Sequence, residues 1–594
     1  MTLLGCQGAS DGDASDAGRE VASVDASPRD ASTDRDLPVA LDASPSDAPS
    51  FDAAVDPPGT WRSTLFPRDW LPVHAGGTRD EAGRALPDFG YAGWHRGRAR
   101  PPTELPWSTF DVTASVADGV TDATSAIQRA IDGACAAGSG IVRLPRGTLR
   151  VRLPSGARSA IRIRCSNVVL RGEGADATRV LFDDADRARG AAAIGVEGGG
   201  AWDAGSPELP LARDHEPTTS LDLTDPATGL QPGDWVVVRN DVTPGFRTDH
   251  RMESFWPDEG FRGLYFPRRV RSVADRRVEL DAPTHYALRT RDSSRVYAIG
   301  GLSEIGLEDF SIGMVESRMS PADHDVPAAE GDWNVPGTTG YAVHSSAAIR
   351  LEGVHDAWIR SVTTFAAEGN ASGAHVLSQG IVVSRTSSRV SMIDVHLGRP
   401  QYRGGGGNGY LFMVYGHDVL AVDGSATGGR HNLILSNAAT GNVFLRMRSV
   451  DAYAADDTHK NLSVANLFDR TTLSSAWIQS VNRGSTSGGA GFTGTGLVAW
   501  GTHVERNHRS ADGCAVETSQ WAHGFAIGSS AAVDQSASLC ARSFSNRYWS
   551  SLDDGAPVDF VEGEGLGERL VPVSLFNAML SRACLADGEE CATW

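Results

Sequence analysis

The sequence predicts an all-β chain wound as a parallel solenoid, a β-helix, and three observations carry this. From residue 344 onward one unit recurs: a short apolar strand, a turn near Gly, Thr or Ser, and a second strand. It reads "AAIRLEGVHDAWIRSVTTF", "QGIVVSRTSSRVSMIDVHL", "NGYLFMVYGHDVLAVDGSA", "NLILSNAATGNVFLRMRSV" and "NLSVANLFDRTTLSSAWIQSV". No such unit can bury both its strands alone, whereas parallel stacking at about 4.8 Å makes a continuous core of Val, Ile and Leu. A single amphipathic helix precedes the strands, and 67 glycines supply the tight turns that many short strands need. A β-sandwich with similar strand spacing is the competing arrangement. The net charge of -20 argues against a nucleic-acid partner. No apolar run reaches the roughly 18 residues of a bilayer span.

The elements follow in order. Residues 1–6 end in Leu3-Leu4-Gly5-Cys6, which resembles the lipobox of a bacterial lipoprotein. The resemblance implies that 1–6 is the remnant of a signal peptide and that Cys6 is acylated. The chain would then be lipid-anchored at the bacterial cell surface or in the periplasm, or otherwise secreted. Residues 7–59 are mostly Asp, Ala, Ser and Pro and cannot bury enough surface to offset chain entropy, so a disordered, self-repelling tether is expected. Residues 60–106, rich in aromatics and prolines, read as an irregular arm packed on the main domain.

In 107–217, Ala126, Ile127, Ala130, Ile131 and Ala134 repeat at helical spacing, with Asp122 as N-cap and Gly138 as stop. "ADGVTDATSAIQRAIDGACAAGSGIVRLPRGTL" resembles the opening of the pectate-lyase-like superfamily, the right-handed parallel β-helix proteins. In that superfamily this pattern forms a helix capping the first coil, and "NVVLRGEGADATRVLF" looks like the next coil. The resemblance implies right-handed winding and a capping helix. Its members include lyases, hydrolases, epimerases and phage tailspikes, so it implies fold rather than activity. Residues 218–290 alternate like antiparallel strands and read as a small β insertion. Residues 291–560 hold the main coils, interrupted by a long polar loop at 315–343. Residues 561–594 read as a C-terminal cap over the last coil.

Apart from Cys6, six cysteines remain, none with zinc spacing. The simplest of fifteen pairings joins sequence neighbours: Cys135–Cys165, Cys514–Cys540 and Cys584–Cys591. Buried free thiols are the alternative.

Aligning the repeats gathers a candidate site. Asn408, Asn432 and Asn461 each precede an apolar strand, so the turns "RGGGGN", "GGRHN" and "DDTHKN" are expected to stack, with the asparagines forming a structural ladder. Arg403, Arg430, His431, Asp456, Asp457, His459 and Lys460, the chain's only lysine, would then share one outer face. A local surplus of basic residues, Arg470 and Arg483 among them, suits an anionic ligand. The glycines 404–407 are expected to leave their rung open, with Tyr402, Tyr410, Tyr415 and Trp477 as stacking faces.

These residues permit three functions. The first is a polysaccharide lyase acting on an acidic glycan by β-elimination. Arg403 or Arg430 would bind the uronate carboxylate, His459, Lys460 or His431 would be the base, and Asn408, Tyr410, Tyr415 and Arg470 would line the substrate. Asp456 and Asp457 would orient the histidine or hold the Ca²⁺ that many relatives use. The second is a glycoside hydrolase whose paired carboxyls would come from Asp456, Asp457 and either Asp469 or Asp451. The third is a surface carbohydrate-binding or adhesion protein without catalysis.

Overall fold

The computed structural model describes residues 56–199, 207–256, 261–319, 331–506, 515–531 and 559–594. Cys6, residues 7–55 of the acidic stretch, Cys514, Cys540 and residues 320–330 of the polar loop lie outside the described residues.

The fold is a parallel β-helix, with the right-handed winding that parallel connections within a sheet adopt. One sheet of nine strands runs the length of the molecule: Ser159–Ile163, Ala192–Glu197, Ala347–Glu352, Gln379–Val383, Tyr410–Val414, His431–Leu435, Asp456–Thr458, Ile478–Ser480 and Val516–Thr518, every pairing parallel. The rest of each coil forms two further parallel ladders joined at a bend. One carries Leu420–Val422, Val443–Leu445, Leu467–Asp469, Val498–Trp500 and Phe525–Ile527. The other carries Ser425–Thr427, Arg448–Val450, Thr472–Ser474 and His503–Arg506.

Side chains from all three walls meet inside. Leu433, Phe444, Phe468, Leu473 and Ile478 belong to one cluster that continues to the first coils. Helix Thr124–Ala136 seals that end by burying Ile127, Ile131 and Ala134. Asp122 stands one position outside the cap, where its carboxylate accepts from the Thr124 N–H at 2.9 Å. The bond Cys135–Cys165 ties this helix to the strand system, with 5.7 Å between Cα atoms.

The bends are built on the left-handed backbone region. Asp309, Ser361, Asp394, Asp423, Arg446, Arg470, Gly501 and Gly528 all have positive φ and follow one another in register up one corner. A second corner repeats this with Glu304, Asp356, Arg389, Asp418, Gly441, Ala465 and Gly496.

The antiparallel insertion is a six-stranded sheet spanning Leu209–Pro210 to Arg295–Ala298, wider than 218–290, because Arg295–Ala298 pairs with the central strand Trp235–Asp241 and Leu209–Pro210 pairs with Arg295–Ala298 at the edge. It is pinned to the β-helix by a buried ion pair, Arg268 Nη1 to Asp418 Oδ2 at 2.6 Å, with His285 Nε2 2.8 Å from the other oxygen. The arm packs Phe66, Trp70 and Phe89 in the cluster shared by the insertion, the β-helix flank and the C-terminal helix.

That helix, Leu575–Asp587, corrects the expected cap over the last coil: it lies along the flank. Ser574 accepts from the Asn577 N–H, and Asp469 Oδ2 accepts from Ser574 Oγ at 2.7 Å and from the Phe576 N–H at 2.9 Å. Strand Leu570–Val571 pairs in parallel with Trp61–Arg62. Cys584 and Cys591 are bonded.

Candidate functional site

The site lies on the outer face of the nine-stranded sheet. Phe412 pairs with Leu433 and Ile434 with Asp457, steps of 21 and 23 residues. The expected register of asparagines is therefore corrected. "DDTHKN" holds a strand of its own, Asp456–Thr458, and Asn461 falls after it. The asparagine ladder exists one corner further on: Asn461 Nδ2 donates to Asn437 Oδ1, and Asn466 Oδ1 accepts from Asn442 Nδ2, both at 2.9 Å. Asn408 and Asn432 do not bond each other: each donates within its own turn, to Gly405 O and Ala426 O, and each also bridges to a neighbouring coil, Asn408 Oδ1 accepting from Ser378 Oγ and Asn432 Nδ2 donating to Val450 O, both at 2.9 Å.

Asp457 sits between Ile434 and Gln479 on the outer face and is fully buried. One of its oxygens accepts from Arg483 Nη2 and lies 3.2 Å from His459 Nδ1; the other lies 3.4 Å from His431 Nδ1. Burial alone would raise this carboxyl, but the charges of His431, Arg483 and His459 overcome that and hold it well below the usual range. The His431 Nδ1–H donates to Ala455 O at 2.5 Å. Burial pushes His431 down to about 3, and it lowers His459 against the pull of Asp457, helped by Arg483 and Lys460.

His459 Nδ1 is also 3.1 Å from Arg483 Nη1. The ring nitrogen can serve only one of these partners. The tautomer donating to Asp457 leaves Nε2 bare, 3.5 Å from the Tyr410 hydroxyl. The rings of Tyr410, His431 and His459 meet edge-on, with centroids 4.9 to 5.8 Å apart. The side chain of His459 is 20% exposed.

Other candidates fall at the rim or outside the site. The Arg430 guanidinium donates to Arg403 O at 3.1 Å and lies 5.6 Å from the Tyr453 ring centre; Arg403 donates to Gly428 O at 3.2 Å. Lys460 is half-buried beside His459, and Tyr415 is half-buried against the outer apolar cluster. Arg470 is corrected outright: it donates to Val573 O and Gly567 O and holds the C-terminal segment on another face. Asp469 is likewise spent on that segment, and Asp451 is an exposed bend residue.

Asp456 is also corrected. It pairs with Ile478 and faces the core, one oxygen accepting from the Leu433 N–H at 2.9 Å, and burial pushes its carboxyl up to about 7. Gly404–Gly407 do not leave an open rung, since the Trp333 ring occupies the space a side chain at Gly406 would need. Tyr402, Tyr410 and Trp477 are buried and offer no stacking face.

A Ca²⁺ ion does not fit this arrangement. It takes about six to eight oxygen ligands. Here Asp456 points inward, and Asp457 faces two imidazoles and a guanidinium. His431, Asp457 and His459 do bring ligand-type atoms within 4.8 Å of one another, but Arg483 already supplies the cation to their carboxylate.

Sequence reasoning included Arg483 only in a count of charges and passed over Gln479 and Glu517. The readable signal was spacing, because Arg483 and Gln479 each lie about one coil beyond His459 and Asp457.

No protein-family model matches the chain, and no curated protein matches its sequence. Among solved structures it is similar to the tailspike protein gp49 of Pseudomonas phage LKA1, with 12% identity, 68% of this chain and 69% of that chain covered, and a TM-score of 0.32. It is similar to a hyperthermoactive exopolygalacturonase of Thermotoga maritima, with 10% identity, 73% and 82% covered, and a TM-score of 0.31. It is also similar to the catalytic unit of a thermostable GH87 α-1,3-glucanase of Streptomyces thermodiastaticus, with 12% identity, 79% and 70% covered, and a TM-score of 0.34.

Proposed function

We propose that this protein is an exported enzyme, anchored through an acylated Cys6, that cleaves an acidic polysaccharide by β-elimination. The observation that carries this reading is the setting of His459: solvent on one side, Asp457 behind Nδ1, and the Tyr410 hydroxyl 3.5 Å from Nε2. A histidine whose protonation is disfavoured by burial stays neutral at neutral pH and can act as a base.

His459 Nε2 takes the proton from C5 of a uronate, and Asp457 stabilises the imidazolium through Nδ1–H. The C5–H electron pair becomes the C4=C5 double bond as the C4–O bond breaks. The Tyr410 hydroxyl gives its proton to the departing oxygen, and His459 then returns a proton to Tyr410. Arg430 and Lys460, at the rim, neutralise the uronate carboxylate, which makes C5 more acidic. Hydrolysis by paired aspartates is disfavoured, because Asp456 and Asp457 face opposite sides of the strand and share no space for a sugar.

The test is a panel of pectin, alginate, glycosaminoglycan and neutral glycans, assayed for ultraviolet-absorbing unsaturated ends and for reducing ends. Elimination yields both from an acidic glycan, and His459→Ala lowers the rate by about 10²–10⁴. Reducing ends without absorbance, or retention on a polymer without products, overturns the reading.

A further inference from the structure

The outer face continues past the cluster for two more rungs, since Asp457 pairs with Gln479 and Gln479 with Glu517. One hydrogen-bonded chain links them. Gln479 Nε2 donates to Glu517 Oε2 at 2.7 Å, and Gln479 Oε1 accepts from Arg483 Nη2 at 2.7 Å. An ionised carboxylate only accepts, so Glu517 fixes which end of the amide faces it and turns the carbonyl oxygen toward Arg483. The same guanidinium then bonds Asp457 and lies 3.1 Å from His459 Nδ1. A bidentate fork onto Asp457 is the arrangement an arginine takes when left alone with a carboxylate. Here one Nη2 is shared between Asp457 and Gln479, which leaves Nη1 against the ring.

We propose that Gln479, oriented by Glu517, is a positioning residue that holds the Arg483 guanidinium beside His459, where its charge opposes protonation of that ring. Its role in turnover rests on the elimination reading; its electrostatic role does not. The charged and titratable groups around His459 are Asp457, Arg483, Lys460, His431 and Tyr410. Of these, Arg483 is the one the chain of hydrogen bonds controls.

The experiment follows the His459 ring by NMR in the full chain labelled with ¹³C-histidine, the resonance being assigned by its loss in His459→Gln. In Gln479→Leu and in Glu517→Ala the titration midpoint of His459 rises by on the order of half a pH unit, as a nearby cation moves away. Glu517→Gln, which keeps an acceptor oxygen, retains the parent midpoint. Once a substrate is in hand, the acid limb of kcat/KM moves to higher pH by the same amount in the first two variants.

An unchanged midpoint in either of those variants overturns the proposal, as does an equal rise in Glu517→Gln. Glu517 is half-buried, so Glu517→Ala carries the test if Gln479→Leu does not fold. No glycan is needed for the titration, so a failure of the elimination reading is told apart from a failure of this one.

Discussion

A strand sends neighbouring side chains to opposite faces, and Asp456 and Asp457 show how much that changes a carboxyl. Asp457 meets Arg483 and two imidazoles; Asp456 meets Leu433, Ile478 and the apolar interior. Replacing Asp457 by Asn leaves the Arg483 guanidinium beside a neutral amide, and the loss is about 3 kcal/mol in urea unfolding. Asp456 behaves in the opposite way. Its carboxyl is pushed up to about 7 in the folded chain, against an unfolded value near 3.9. Between those values the folded state holds the extra proton, so stability contributed at this position falls as pH rises from about 4 to about 7. Asp456→Asn removes that slope. The stability difference between variant and parent should be near zero at pH 4 and grow to on the order of 4 kcal/mol in the variant's favour at pH 8. A constant difference across that range would contradict it.

The elements that hold these residues are coils with fixed corners. At one corner Ala465 has φ 52° and stands in register between Gly441 and Gly496, whose φ values are 72° and 65°. An L-residue in this region carries strain of roughly 1–2 kcal/mol that glycine avoids. Ala465→Gly should therefore leave Tm unchanged or raise it slightly, whereas Ala465→Val, with a branch at Cβ, should lower it by several degrees, on the order of 2 kcal/mol. The C-terminal element depends on Asp469, which satisfies both the hydroxyl of Ser574 and the Phe576 N–H. Asp469→Ala should cost about 1–3 kcal/mol and expose the 563–574 stretch to limited proteolysis before the coils yield. The repeating strands and the first helix were legible because apolar periodicity is local. The corner that each asparagine occupies was not. Coil lengths vary with loops that carry no periodic signal, so a ladder inferred from asparagines that each precede an apolar strand slipped from Asn437–Asn461 to Asn432–Asn461. The same slip placed Arg470 in the site, although it lies on another wall.

For the whole molecule the titrating groups oppose one another. Burial holds His250 and His355 near 4 and His417 and His431 near 3. These groups lie below their unfolded value near 6.5, so their contribution is present above that pH and is lost as pH falls toward 4. Asp456, Asp469 and Asp559, raised to about 7, 6 and 7, act in the other direction over the same window. Four histidines against three carboxyls place the maximum of stability close to neutrality, with cooperative acid unfolding below about pH 5. Urea midpoints across pH 4–8 check this, and a maximum at pH 4 would refute it. The fold, and the nearness of His431, Asp457 and His459, were readable from the sequence because stacking makes distant segments neighbours by a simple rule. The docking of the insertion through Arg268 and Asp418 was not, since two residues 150 positions apart share no periodic relation. The parallel pairing of Trp61–Arg62 with Leu570–Val571 has a mechanical meaning. A solenoid ordinarily yields from its open ends, one turn at a time. Here tension pulling on residues 56 and 594 bears first on a short two-stranded clasp and a flanking helix. The stacked turns behind them are shielded until that clasp gives way.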